Sequence, residues 1–116
     1  MMDFAARVVC VLSAVPSGKV VTYGQLAALC GKPLCARLAG RVVGQGVSPY
    51  AWKVVGAGGR LTGAAAFLTP GLQAELLRSD GVSMLPRDRV DLGKSGWVPS
   101  DGELAELKKA FAQREI

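Results

Sequence analysis

The chain has 116 residues, room for one domain spanning 1–116, and with 50% hydrophobic and 20% charged residues it can bury a core, which excludes disordered and fibrous classes. The net charge of +5 resides in the first half: residues 1–60 hold seven Lys/Arg against Asp3 alone, whereas 61–116 hold seven against eight, so the N-terminal half faces a polyanion, pointing to nucleic acid. With no histidine and only Cys10, Cys30 and Cys35, zinc ligand sets and His-activated nucleophiles are excluded, the odd cysteine count argues against a disulfide framework, and no apolar run approaches the roughly 18 residues of a membrane span.

Phe4, Val8, Val11, Leu12 and Val15 recur at helical spacing and predict a first helix, ended by the turn Pro16-Ser17-Gly18. Thr22 is placed to cap a short helix Tyr23–Cys30, with Leu26 and Leu29 inward and Gly31 ending it in a left-handed conformation. Pro33 fits the first turn of a helix reaching about Val43, with Leu34, Leu38 and Val42 on one face and Arg37 and Arg41 on another. Two short helices across a glycine turn make a helix-turn-helix candidate.

Further along, Lys53-Val54-Val55 and Arg60-Leu61-Thr62 flank Gly56-Ala57-Gly58-Gly59 and predict a small β-hairpin wing. Thr69-Pro70 opens a helix carrying Leu72, Leu76 and Leu77 that ends near Asp80-Gly81. Val82–Leu85 and Val90–Leu92 are expected to pair around Pro86-Arg87-Asp88. Ser100-Asp101-Gly102-Glu103 has capping-box form and starts a C-terminal helix with Leu104, Leu107 and Phe111 inward. The expected fold is mainly α (α+β), a winged helix-turn-helix-like three-helix domain with a small β-hairpin wing and a C-terminal helix.

The run Val15-Pro16-Ser17-Gly18-Lys19-Val20-Val21-Thr22-Tyr23-Gly24-Gln25-Leu26-Ala27, with Gly31-Lys32-Pro33 and Ala36-Arg37-Leu38-Ala39-Gly40, resembles the DNA-binding domain of O6-alkylguanine-DNA alkyltransferases. Lys53 to Gly63 and Gln73 to Gly81 resemble the segments after that family's active site. The tail, with Arg89-Val90-Asp91-Leu92 and Gly96-Trp97, looks like that of the small alkyltransferase-like proteins. In the enzymes a Pro-Cys-His-Arg motif carries the accepting cysteine. The ungapped register lays Tyr50-Ala51-Trp52-Lys53 over it, with Ala51 at the cysteine and Trp52 at the histidine; anchoring on Pro49 lays Tyr50 over the cysteine instead. Neither register supplies a thiol or an imidazole.

The resemblance implies a second helix that enters the minor groove while the damaged guanine is rotated out of the duplex. It assigns Arg37 as the finger that replaces the flipped base and Tyr23 as the residue crowding the phosphate 3′ to it. Lys19, Lys32 and Arg41 are phosphate-contact candidates, with Gly40 on the same DNA-binding helix. Taken without the motif, Arg37 reads as a solvated helix residue and Tyr23 as a helix-start staple; with it, the functional readings prevail. Tyr50, Ala51, Trp52 and Lys53 are expected at the base or lesion pocket, under a loop over Leu61–Pro70. Trp52 either stacks beneath a flipped base or plugs the space of the former catalytic network. Asp80, matched to the acid that partners the family's histidine, reads as a helix-end carboxylate.

The resemblance therefore implies a non-enzymatic protein that binds duplex DNA containing O6-alkylguanine, flips the base and signals nucleotide excision repair proteins. A monomer in the cytoplasm, associated with the nucleoid and not with membrane, is expected, with no cofactor, metal or catalytic residue. Two other readings stand beside it: a degenerate methyltransferase using Cys35 or Cys30, and a winged-helix DNA binder lacking lesion preference.

Overall fold

A computed structural model describes residues 2–61 and 71–116. The expected loop over the base pocket beyond Leu61, Thr62 of the expected wing and the Thr69-Pro70 helix start lie outside the described residues. The first helix, α1 (Phe4–Ala14), is capped by Asp3, whose carboxylate accepts from the Ala6 amide. A two-residue strand, β1 (Val21–Thr22), runs directly into α2 (Tyr23–Leu29), and Thr22 caps that helix by accepting from the Gln25 amide. Gly31, at φ 90°, lets Lys32 donate to the Ala27 carbonyl and Gly31 to that of Ala28, closing both orphan carbonyls at the helix end.

The next helix departs from expectation at its start: α3 spans Ala36–Gly44, three residues later than Pro33. Leu34 sits at φ 69°, a left-handed geometry that cannot propagate a right-handed helix, so the chain re-enters helical geometry only after Cys35. Leu34 is consequently fully exposed and not on the apolar face. That face is formed by Ala39, Val42 and Val43.

The strand expected in a wing is used otherwise. β2 (Val54–Val55) pairs in parallel with β1, Val21 opposite Val54 and Thr22 opposite Val55. Both valines are fully buried, and an apolar pair of this kind is accommodated where both faces are covered. The glycines that follow form a tight turn, closed by the Gly56 amide donating to the Arg60 carbonyl at 2.7 Å. The hairpin lies farther on, where β3 (Met84–Leu85) and β4 (Arg89–Val90) pair antiparallel around residues 86–88.

Before it comes α4 (Leu72–Ser79), and after it a short α5 (Leu92–Ser95) capped by Asp91. The last helix, α6 (Asp101–Gln113), begins with the expected capping box between Ser100 and Glu103. Leu107 and Phe111 face inward as expected, but Leu104 is 36% exposed, a turn away from the buried stripe.

Strand alternation divides the interior in two. Val21 and Val54 belong to a core built by α1, α2, α3 and α6 with Trp97, while Val20 and Val55 belong to a second cluster with Leu77, Val82 and Val90. The short parallel pair is thus a shared wall. Among the described residues, no helix is long and apolar enough to cross a membrane.

Candidate nucleic-acid interface

Helices α2 and α3 pack against each other across the turn at Gly31–Cys35, and between them opens a cleft of about 420 Å³. Its lining includes Thr22, Tyr23, Arg37, Gly40 and, from the glycine turn, Ala57. Tyr23 opens α2, so its side chain reaches sideways onto α3; a methyl group placed on Gly40 would lie 3.7 Å from the Tyr23 ring. Burial pushes the Tyr23 phenol above its ordinary value, so at neutral pH it is a hydroxyl able to donate to an anionic oxygen.

Arg37 lies in the first turn of α3 and is exposed, with Arg41 one turn on and also exposed. Their spacing of four places both on one side of the helix, opposite Ala39, Val42 and Val43. The cleft therefore joins a protonated phenol and a guanidinium without a partner among the described residues, across a glycine floor. The chemistry suits a phosphodiester beside an aromatic base: hydrogen-bond donation to the first, planar cationic stacking on the second.

Lys32, in the turn between the helices, is exposed. Lys19 lies before β1, and its ammonium donates to the Lys94 carbonyl at 2.9 Å, leaving two donor hydrogens. The structure thus brings Tyr23, Arg37 and Gly40 into one cleft, with Arg41 and Lys32 on the elements around it and Lys19 apart.

Tyr50, Ala51 and Trp52 lie on a separate element, the entry to a single 3-10 turn at Ala51–Lys53 that leads into β2. Tyr50 is 42% exposed and its amide donates to the Ser48 hydroxyl. Trp52 is half-buried against the second cluster. Lys53 requires a correction. It does not offer its charge to a ligand pocket: the residue is 4% exposed, and its ammonium donates to the Val15 and Pro16 carbonyls and pairs with Asp80 at 3.3 Å. The length of the lysine stem makes this possible, since it carries a point charge inward to the backbone carbonyls of Val15 and of Pro16, the second of which also accepts from the Lys19 amide.

Two contributors were hidden in the sequence. Gln73, 5% exposed, donates to the carbonyls of both Trp52 and Val54 and so fixes the 3-10 turn to α4. Ala57 enters the cleft because the glycine turn folds toward Tyr23. Gln73 stands in a polar-apolar helical pattern where a glutamine ordinarily points outward, and Ala57 carries no functional group, so neither gave a signal.

Residues 3–82 match the family model of the 6-O-methylguanine DNA methyltransferase, DNA binding domain. The chain belongs to this methyltransferase family. It is 28% identical over 102 residues, 85% of its own length and all of the other, to a protein of Vibrio parahaemolyticus serotype O3:K6 (strain AQ3810) named DNA base-flipping protein. It also superimposes on the crystal structure of S. pombe Atl1 in complex with damaged DNA containing O6-carboxymethylguanine, with TM-score 0.69, 25% identity, and coverage of 85% of this chain and 98% of that one. Within the methyltransferase family it is thus an alkyltransferase-like chain, retaining the helix pair and holding Ala51 where the ungapped register requires a cysteine.

Proposed function

We propose that this chain binds duplex DNA containing O6-alkylguanine, rotates the modified base out of the stack and holds it without transferring the alkyl group. The observation that carries the reading is the pairing of the exposed Arg37 with the desolvated Tyr23 hydroxyl across one cleft, on a chain whose active-site turn reads Tyr50-Ala51-Trp52-Lys53. Extrusion costs a few kcal/mol, and a guanidinium filling the vacated stack recovers part of it. Lys19, Lys32, Arg41 and Gly40 contribute to the DNA-binding face, the cations by neutralising phosphates. Tyr50, Ala51 and Trp52 border the extruded base, with Trp52 chiefly a packing residue.

Absence of alkyl transfer follows from the chemistry available. The thiolate is the nucleophile, and burial pushes the Cys30 thiol up to about 12, with nearby Arg7 lowering it only in part. No cysteine follows Cys35, and no histidine exists to take a proton. The protein acts as a single domain and a monomer at the nucleoid in the cytoplasm, without a cofactor, and the held lesion is a signal for nucleotide excision repair proteins. Support for lesion binding and base flipping comes from the relatives, one named for base flipping and the other crystallised on damaged DNA.

Competitive binding of matched duplexes bearing guanine or O6-methylguanine tests this. Preference for the modified duplex is expected, with Arg37→Ala weakening it roughly tenfold or more and Tyr23→Phe less. Equal binding to the two duplexes would instead support a DNA binder without lesion preference. After incubation, intact-protein mass spectrometry is expected to show no alkyl adduct; a gain of about 14 Da on Cys30 or Cys35 would establish a degenerate transferase.

A further inference from the structure

The β3–β4 hairpin carries charge and strain that the lesion site does not use. Arg87 and Arg89 are exposed, and Arg60 is exposed on the glycine turn beside them. Among the described residues no carboxylate pairs with any of the three; Asp88, the one acid at the hairpin tip, is engaged by Arg78 of α4. Arg87 and Asp88 lie at φ 65° and 52°, left-handed conformations that a side chain occupies at a cost. Glycine would remove that cost at Arg87, so the strained position holds an arginine where turn chemistry alone favours none.

The glycine turn connects this hairpin to the cleft. Ala57 lines the cleft with Tyr23 and Arg37, while Gly59, two residues on, packs so closely on the backbone of Val90 that no side chain fits there. Arg60 therefore follows a residue seated on β4, the strand that carries Arg89. The glycine turn thus carries Ala57 at the cleft and Gly59 against the hairpin, whose Arg87 and Arg89 are exposed.

We propose that Arg60, Arg87 and Arg89 form a second DNA contact, a clamp on the phosphate backbone of the same duplex outside the lesion. The proposal rests on the lesion-binding reading only for the position of the duplex. The longest dimension of the molecule is 40 Å, which corresponds to about 12 base pairs. The cleft and the hairpin both lie within that span, so a duplex of that length or more is long enough to reach from one to the other. A clamp of this kind adds affinity and salt dependence without reading the base, because phosphates carry no sequence information.

The test measures binding across a salt series, on duplexes of about 24 and about 8 base pairs with a central guanine or O6-methylguanine. The double variant Arg87→Ala with Arg89→Ala is expected to weaken binding to the long duplexes roughly tenfold at low salt. It should flatten the slope of log affinity against log salt by about 1 to 2, at about 0.9 per lost phosphate. Modified and unmodified long duplexes should lose equally, and the short ones should lose less. Arg87→Gly guards against misfolding: it should raise the Tm while still reducing the slope on long duplexes. An unchanged slope on long duplexes, or an equal loss on short ones, overturns the clamp. Failure of the lesion reading is distinct, since it removes the preference for O6-methylguanine in the unmodified protein and leaves the length-dependent slope difference intact.

Discussion

The ammonium of Lys53 lies 3.3 Å from the Asp80 carboxylate, whose same oxygen accepts the Gly18 amide at 2.9 Å. One carboxylate at the end of α4 thereby joins the 3-10 turn that carries Ala51 and Trp52 to the turn between α1 and β1. The lysine side chain is 5% exposed and the aspartate 17%, so the pair is shielded from water on most sides. Removing one partner leaves the other unpaired in the interior. Lys53→Met is expected to cost about 3 kcal/mol in urea unfolding. Asp80→Asn should cost less, because the amide oxygen still accepts from Gly18. In the double variant a coupling energy near zero would show that the two charges do not support each other.

Gly59 is at φ 84°, and a Cβ there would overlap the Val90 carbonyl oxygen, which is backbone and cannot swing aside. Gly59→Ala should therefore cost about 3 kcal/mol or more and separate the turn from β4. Gly58, at φ 72° with open space around its Cα, should cost only about 1 kcal/mol as alanine, the left-handed penalty alone. Thermal unfolding of the two single variants checks the contrast; equal losses would mean that the turn and β4 are not in register-fixed contact.

The helix pair was legible in the sequence because its signals are local: Thr22 caps, Gly31 terminates, and the Arg37/Arg41 spacing defines a face. The capping box at Ser100 and Glu103 was equally local. The pairing of Val54–Val55 was not, since a two-residue apolar strand carries no mark of its partner. Its parallel alignment with Val21–Thr22 is decided by the burial of both valines between two clusters. Lys53 was misplaced for a related reason: the register of the family's motif lays it at the pocket, but only the fold reveals carbonyls at Val15 and Pro16 within reach. The late start of α3 reflects backbone geometry at Leu34, where composition favours a continued helix. Tyr23, Arg37 and Gly40 share a cleft because α2 and α3 cross there, a relation that the family resemblance implied and residue spacing alone did not.

Gly40 separates stability from binding. It lies inside α3, where glycine is about 1 kcal/mol less favourable than alanine, and a Cβ would touch the Tyr23 ring at 3.7 Å, an ordinary contact. Gly40→Ala should raise stability by about 0.5–1 kcal/mol. It also places a methyl group in the cleft between Tyr23 and Arg37, so affinity for DNA should fall. Unfolding and binding measured on the same preparation test the opposition. A variant that gained stability and bound DNA as well as before would show that the backbone does not approach closely at Gly40.

Cys30 gives the fold an alkaline limit. Burial, the largest influence, pushes its thiol up to about 12, while Arg7 pulls it down and Cys10 adds to the rise. An unfolded thiol titrates near about 8.5. Between these values the unfolded chain has lost the proton and the folded chain retains it, so stability is fully present below about pH 8.5 and declines as pH rises toward 12. The desolvated Tyr23 hydroxyl acts in the same direction at higher pH. Urea midpoints taken between about pH 7.5 and 10 should therefore fall for the native chain. Cys30→Ala loses a buried sulfur and starts from a lower midpoint, but its curve should be flatter over that interval, because the proton that the native chain holds at residue 30 is no longer there to be released. Parallel curves for the two proteins would assign the alkaline loss to other groups.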